Sequence, residues 1–166
     1  MQLKHNNLAI RQANENDAAY IHKYRRESGE NISLEKVKTE LGPGTMQYII
    51  ELDRQIIGDI HYGNVDGNGA EIGIYIRNKT ERRKGYGTLV ITIFADYLFN
   101  NCGYDKIIFN TSFNNKSMRH IAEKKFSLKP NIYNARQEVS DTTETCVEYE
   151  LKKENWNNNG INYEIF

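Results

Sequence analysis

A short basic segment with closely spaced glycines, residues 80–88, is the strongest candidate for chemistry in this chain. After Thr80 and Glu81 it reads Arg82, Arg83, Lys84, Gly85, Tyr86, Gly87 and Thr88. The three cations supply full positive charge, and the two glycines let the backbone approach a ligand without a Cβ in the way. A strand pattern leads into the segment and a helix pattern leads out, so unpaired N–H groups and the positive helix end would lie there too. The segment therefore predicts a phosphate-binding turn.

The elements that position this turn can be read from hydrophobic periodicity. Residues 70–76 alternate, with the isoleucines on one face and Glu71, Gly73 and Tyr75 on the other. Apolar residues at helical spacing over 89–99 predict a helix that packs on the sheet. The apolar strand at 106–111 follows this helix, so it should run parallel to the strand before the turn.

The rest of the chain predicts a meander upstream and a second helix downstream. The expected elements are a strand at 8–13, helices at 14–28 and 33–41, strands at 46–52, 55–62 and 71–77, a helix at 116–125, and final strands from 126 and over 144–152. With the crossover they make a mixed α/β sheet of about seven strands and four helices. We expect a single domain over 1–154, followed by a polar tail over 155–166 whose alternating residues allow a short extra strand.

Composition excludes several classes of function. The 166 residues carry a formal net charge of zero, so the basic excess of a general nucleic-acid binder is absent. No apolar segment approaches membrane-spanning length, and the first residues lack the apolar region of a signal peptide. Cys102 and Cys146 belong to no CxxC pair and neither neighbours a histidine, so no metal site or thiol nucleophile is expected. We expect a cytoplasmic protein.

The basic turn departs from two familiar phosphate loops and resembles a third. Val90 stands where a dinucleotide fingerprint needs its third glycine, and the Lys-Ser/Thr end of a Walker loop is missing. Residues 82–87 resemble the Gln/Arg-x-x-Gly-x-Gly/Ala signature of the GNAT superfamily of acyl-CoA N-acyltransferases. Residues 70–76 and 106–110 look like that family's fourth and fifth strands. Residues 115–126 resemble a segment typical of its ribosomal-protein and small-amine branches, so the resemblance covers roughly 8 to 150.

The resemblance implies a GNAT-like fold in which two central strands splay apart, and direct acyl transfer from acetyl-CoA to an amine without a covalent enzyme intermediate. Backbone N–H groups of the turn would hold the pyrophosphate, and strand backbone would pair with the pantetheine arm. The predicted cofactor-binding residues are Ile74, Ile76, Arg82, Arg83, Lys84, Gly85, Tyr86, Gly87, Thr88, Asn110 and Asn115.

The chain departs from the family pattern at two positions near the expected catalytic groups. Lys125 replaces a usual glycine, and Ile121 stands where many members have the tyrosine that protonates the leaving thiolate. Glu71 is the candidate base, with a solvated or ion-paired carboxylate as the alternative. Ser117 is the candidate proton donor, although a hydroxyl in a first helical turn often bonds locally.

Two polar residues, Asp59 and His61, lie on one face of the strand before Glu71. If the 63–69 turn is symmetric, His61 lies beside Glu71 and Asp59 beside Gly73, which would form a polar cluster suited to a cationic amine. The alternative is the exposed polar face of an antiparallel sheet.

Three functions remain open from the sequence. The leading one is an acetyl-CoA-dependent N-acetyltransferase that acts on a primary amine of a small molecule or a peptide N-terminus. The second is a non-catalytic acyl-CoA-binding or regulatory domain of the same fold, and the third is a phosphate-handling domain unrelated to coenzyme A. The expected partners are acetyl-CoA, an amine and, in a homodimer, a second copy of the chain, with neither nucleic acid nor membrane. Residues 28–45 and 131–143 should set the choice of amine.

Overall fold

A single mixed sheet carries the fold in a computed structural model that describes residues 1–137 and 142–166. Its strands are β1 Gln2–His5, β2 Leu8–Gln12, β3 Gln47–Leu52, β4 Gln55–Val65, β5 Gly69–Ile76, β6 Lys106–Ser112, β7 Asn131–Gln137, β8 Thr142–Lys152 and β9 Glu164–Ile165. Their order across the sheet is β7-β8-β6-β5-β4-β3-β2-β1-β9. The helices are α1 Ala18–Glu27, α2 Leu34–Glu40, α3 Tyr86–Asn100 and α4 Lys116–His120, which continues into a π-helical turn, Ile121–Lys125.

The predicted mixed α/β architecture is confirmed. Strands β3, β4 and β5 form an antiparallel meander, and β5 and β6 are parallel across the α3 crossover. The Asp53-Arg54 turn has φ values of 51° and 66°, the left-handed pair of a tight two-residue hairpin. The strand count is nine rather than about seven. The two additional strands are β1 and β9. The sequence gives little signal for them, because β1 buries one apolar residue, Leu3, and β9 is two residues long.

A cleft opens where β5 and β6 part. The two strands pair only from Gly69 with Lys106 to Glu71 with Ile108. Beyond that point β5 stays paired to β4 as far as Ile76, while β6 stays paired to β8. The sheet is therefore split toward the carboxyl ends of its two central parallel strands, as the resemblance implied.

Helices cover the two faces of the sheet and fix which face a ligand can reach. Helix α3 packs on the face that carries Ile72 and Phe109, and these form one apolar core with Phe94. Helices α1 and α2 pack on the opposite face around Ile49. Within the described residues, no helix is long and apolar enough to cross a membrane.

The 155–166 segment packs against α3. Asp96, on the buried part of α3, accepts a hydrogen bond from Trp156 Nε1 at 2.8 Å and another from the Tyr163 hydroxyl at 3.0 Å. Beyond these contacts the chain returns to β1, where Phe166 N–H donates to Gln2 O at 2.9 Å. A buried carboxylate thus fastens the end of the chain to the core.

A buried ion pair lies at the N-terminal end of α1. Asp17 is 5% exposed, and Arg11 donates to its two carboxylate oxygens at 2.7 and 2.8 Å. Asn14 N–H donates to the same carboxylate at 2.9 Å, as in a capping box. Burial raises the pKa of Asp17, but the hydrogen bonds from Arg11 and Asn14, together with the charge of Arg11, outweigh burial and lower the pKa.

We expect Asp17→Asn to lower the free energy of unfolding by about 2–3 kcal/mol at pH 7, because Arg11 loses its buried partner. A carboxyl whose pKa is lower in the folded state stabilises the fold above its unfolded pKa, and this contribution disappears as the pH falls through the folded pKa. The deficit of the variant should therefore shrink below about pH 4. Urea unfolding at pH 7 and pH 3 measures it, with Asp66→Asn in the exposed β4–β5 turn as the control. Equal deficits at the two pH values would contradict the assignment.

Candidate active site

The basic turn joins the end of β5 to the start of α3 through two left-handed residues. A 3₁₀ turn at Lys79–Glu81 leaves β5, then Arg83 has φ 64° and Gly85 has φ 91°. Glycine adopts this conformation without steric cost, whereas Arg83 does not. A Cβ built on Gly85 would meet none of the described atoms within 4 Å, so space is open above the helix start.

Unpaired backbone N–H groups face that space. The first i→i−4 bond of α3 runs from Leu89 N–H to Gly85 O at 3.1 Å. The N–H groups of Tyr86, Gly87 and Thr88 precede it and have no acceptor within the helix. The site therefore combines these amides with the positive end of a long helix.

The three basic side chains have different surroundings. Arg82 Nε donates to Ile76 O at 2.8 Å, which ties the turn back onto the end of β5. Lys84 Nζ lies 3.1 Å from Glu81 Oε2. Arg83 is exposed and forms no ion pair with any described residue. Arg82 therefore shapes the turn, and among the described residues neither Arg82 nor Arg83 has a carboxylate partner.

Backbone groups of β5 line the cleft. Arg77 N–H donates to Ile57 O at 2.8 Å across the β4–β5 pair. Because neighbouring residues of a strand point their backbone groups to opposite sides, those of Ile72, Ile74 and Ile76 point away from β4 and toward β6. The parallel pair of Glu71 with Ile108 uses the Ile72 N–H, and Ile76 O already accepts from Arg82 Nε. The groups that face the opening are therefore the N–H and C=O of Ile74 and the N–H of Ile76.

The predicted residues at α4 have structural contacts. Asn115 caps the helix, since its Oδ1 accepts from Met118 N–H at 3.1 Å and its Nδ2 donates to Thr111 Oγ1 at 2.9 Å. Ser117 is exposed in the first turn of α4. Ile121 packs against the main core, and its Cδ1 would lie 3.4 Å from a Cβ at Gly87, so α3 and α4 approach closely there.

Asn110 lies on the other face of the sheet. Its neighbour Phe109 belongs to the core under α3, so Asn110 points to the α1 and α2 side. Its Oδ1 accepts a hydrogen bond from the Tyr133 hydroxyl at 2.7 Å. Asn110 follows Ile108, the last residue of β6 that pairs with β5, so it lies beside the cleft.

A polar network occupies the same face of the sheet, and it joins Asp59 to Arg77 and Tyr24, which the sequence did not place beside it. Asp59 is 5% exposed and accepts from Arg77 Nε at 2.7 Å. The Arg77 guanidinium lies 4.6 Å from the centre of the Tyr24 ring and 4.1 Å from that of Tyr75. The Tyr20 hydroxyl oxygen is buried without a hydrogen-bond partner in the described structure, and burial raises the pKa of this group.

The expected pairing of His61 with Glu71 is wrong. His61 lies opposite Gly73, Asp59 opposite Tyr75, and Glu71 opposite Gly63. Strand β4 continues to Val65, which pairs with Gly69, so the turn is centred on Gly67 and not on Asp66 as a symmetric 63–69 turn would be, and the register moves by two residues. His61 and Glu71 are diagonal neighbours on one face, and Glu71 is exposed.

Comparison with known proteins decides the family. The sequence matches the profile of the acetyltransferase (GNAT) domain over residues 7–125. The chain belongs to the GNAT acetyltransferase family. It is thus an acetyltransferase by family. Of the three functions that the sequence left open, the N-acetyltransferase and the acyl-CoA-binding domain share this fold and remain, whereas the phosphate-handling domain unrelated to coenzyme A does not.

Solved structures of GNAT proteins share the fold. An acetyltransferase (GNAT family) from Bacillus anthracis superposes with a TM-score of 0.78 at 18% identity, over 93% of this chain and 99% of that one. RimL, a ribosomal L7/L12 α-N-protein acetyltransferase in complex with coenzyme A, gives 0.72 at 10%, over 89% and 94%. The aminoglycoside acetyltransferase AAC(6′)-Ib in complex with coenzyme A and kanamycin gives 0.69 at 18%, over 89% and 96%. A search of curated protein sequences found no significant match.

Proposed function

We propose that this GNAT acetyltransferase transfers the acetyl group of acetyl-CoA to a primary amine of a small molecule or a peptide N-terminus. The observation that carries the proposal is the basic turn, whose unpaired amides follow β5 at the end where β5 and β6 have parted. A donor with a diphosphate at one end and an extended arm fits a helix start beside an open strand edge.

In this proposal the turn holds the pyrophosphate of acetyl-CoA. The N–H groups of residues 83–88 donate to the phosphates, and Arg83 adds charge close to them. The pantetheine arm pairs with the backbone of Ile74 and Ile76 along the open edge of β5. Asn110 and Asn115 stay predicted cofactor contacts, although each already has a protein partner.

The same edge suits the thioester. Backbone N–H groups that point into the opening can donate to the carbonyl oxygen as negative charge develops on it. The sheet face toward α3 is filled by core residues such as Ile72, so the amine approaches from the α1 and α2 face. Glu71 lies on that face as a predicted catalytic carboxylate, and Ser117 stays the predicted proton donor.

The amine as acceptor is supported by the named reactions of two structural neighbours. RimL is an α-N-protein acetyltransferase, and AAC(6′)-Ib was crystallised with kanamycin. Both are similar to this chain in fold only, so neither name identifies its acceptor. The acidic network around Asp59 and Glu71 is consistent with a cationic acceptor.

A panel of amines in a thiol-release assay tests the proposal. We expect wild-type protein with acetyl-CoA to release free thiol with at least one class among polyamines, aminoglycosides and peptide N-termini, and mass spectrometry should show acetyl on that amine. Thermal stabilisation by coenzyme A without turnover across the panel would instead support the non-catalytic alternative.

A further inference from the structure

The ring of His61 covers the part of β5 where the cleft begins. A Cβ built on Gly73 would lie 2.5 Å from His61 Cε1 and 2.6 Å from Nε2, so glycine is what lets the ring rest on the strand. Gly73 lies just beyond Glu71, the last residue of β5 that pairs with β6. The imidazole thus lies over the strand segment that is followed by Ile74, the first residue of β5 whose N–H group points into the opening.

The two ring nitrogens of His61 are free to bind a ligand. Neither nitrogen of His61 forms a hydrogen bond with the described residues, and the ring contact with Tyr75 has a centroid distance of 6.3 Å. In the same protein, His5 and His22 each bond a backbone carbonyl oxygen, at 2.6 and 3.0 Å. A partly buried imidazole with both nitrogens unpaired is available to a ligand.

We propose that His61 is the general base of the reaction and accepts the proton of the acceptor amine, directly or through one water. The inference rests on the proposed function. Glu71, its diagonal neighbour, then acts as the carboxylate that attracts the ammonium group, instead of removing its proton. The assignment changes the role that the sequence alone suggested for Glu71.

The surroundings of His61 suit a base at neutral pH. Burial lowers the pKa of His61; Asp59 opposes this effect, whereas the positive charges of Arg77 and Arg25 reinforce it. The imidazole is therefore neutral at pH 7 and can accept a proton. Among the described residues, the titratable or charged groups of this face that lie around His61 include Asp59 from β4, Glu71, Tyr75 and Arg77 at β5, and Tyr20, Tyr24 and Arg25 from α1.

The step balances in protons and electrons. The bound R–NH₃⁺ gives one proton to an imidazole nitrogen of His61, which later releases it to solvent. The nitrogen lone pair then forms the N–C bond with the acetyl carbon, and the C–S electron pair leaves with the sulfur. The second proton lost by the nitrogen is the one that the coenzyme A thiolate gains.

The pH dependence of kcat for His61→Gln tests the proposal, with the amine found by the panel. Wild-type kcat should fall below the lowered His61 pKa and be level above about pH 6.5. The variant should lose roughly 100-fold at pH 7, and its kcat should keep rising with pH because hydroxide must do the work of the base. Its affinity for acetyl-CoA, measured by calorimetry, should be unchanged.

Matched variants separate the base from its surroundings. His5→Gln, at β1 four strands away from β5, should leave kcat and its pH profile unchanged. Gly73→Ala keeps the imidazole but displaces it, so kcat should fall at least tenfold while acetyl-CoA still binds. Glu71→Gln should raise the KM of the amine and keep the level region of the profile.

The outcomes distinguish this inference from the function it rests on. If wild-type protein acetylates no amine, both fall. If wild-type protein is active and His61→Gln retains its kcat and its profile, His61 is not the base, and the proposed function stands. Loss of the level region in Glu71→Gln but not in His61→Gln would return the role to Glu71.

Discussion

Gly85→Glu is expected to abolish coenzyme A binding while the protein stays folded. Gly85 is the residue before α3, and no described atom lies within 4 Å of the place its Cβ would take. The new side chain would enter the space above the first-turn amides and bring a carboxylate to the position proposed for the pyrophosphate. Repulsion between like charges and loss of the open space should raise the dissociation constant at least about 100-fold, or roughly 2.7 kcal/mol.

Backbone strain must be separated from this effect. The φ of 91° at Gly85 disfavours every L-residue, so part of any loss comes from conformation. Gly85→Ala is the matched control, because it carries the same strain, of about 1 kcal/mol, without charge or bulk. Calorimetric titration with coenzyme A should show near-normal binding for the alanine variant and none for the glutamate variant. Equal binding by both, with unchanged melting temperatures, would contradict the pyrophosphate assignment.

The sequence predicted this turn well because its determinants are local. A strand pattern, a basic glycine-containing segment and a helix pattern follow one another, and each depends on residues a few positions apart. The parallel β5–β6 pair followed from the connection rule. The splay followed from the family resemblance, since no periodicity in residues 69–76 indicates where pairing with β6 stops.

The acceptor side could not be predicted in the same way because its contacts depend on register. The prediction of His61 beside Glu71 failed on the position of one turn, since a turn whose centre lies one residue later than expected, at Gly67, moves every cross-strand pair by two residues. The ion pair of Asp59 with Arg77 joins two strands, and Tyr24 comes from a helix far away in the chain. No local pattern contains that information.

Arg77→Met is expected to lower the free energy of unfolding by about 3–4 kcal/mol, the largest stability effect that we anticipate. The variant keeps much of the aliphatic bulk between the Tyr24 and Tyr75 rings, but it leaves the buried Asp59 carboxylate without its cation. An unpaired buried charge is destabilising even where the pair itself adds little. Urea unfolding at pH 7 measures the change.

Two further variants isolate the charge. Adding Asp59→Leu to Arg77→Met should recover much of the lost stability, because no unpaired charge remains. Arg25→Met breaks ion pairs with Glu30 and Glu40 at the surface and should cost less than about 1 kcal/mol. If the double variant is no more stable than Arg77→Met, packing of the guanidinium between the rings matters more than its charge.

The same substitution should change catalysis in a direction that links the ion pair to His61. Burial lowers the pKa of His61, Asp59 raises it and Arg77 lowers it further, so removal of Arg77 takes away one lowering effect and raises the pKa of the imidazole above its wild-type position. The fall of kcat at low pH should then move to higher pH in folded Arg77→Met protein, whereas Gly85→Ala should leave it in place. A profile that does not move would mean that the Asp59–Arg77 pair supports the fold without tuning the base.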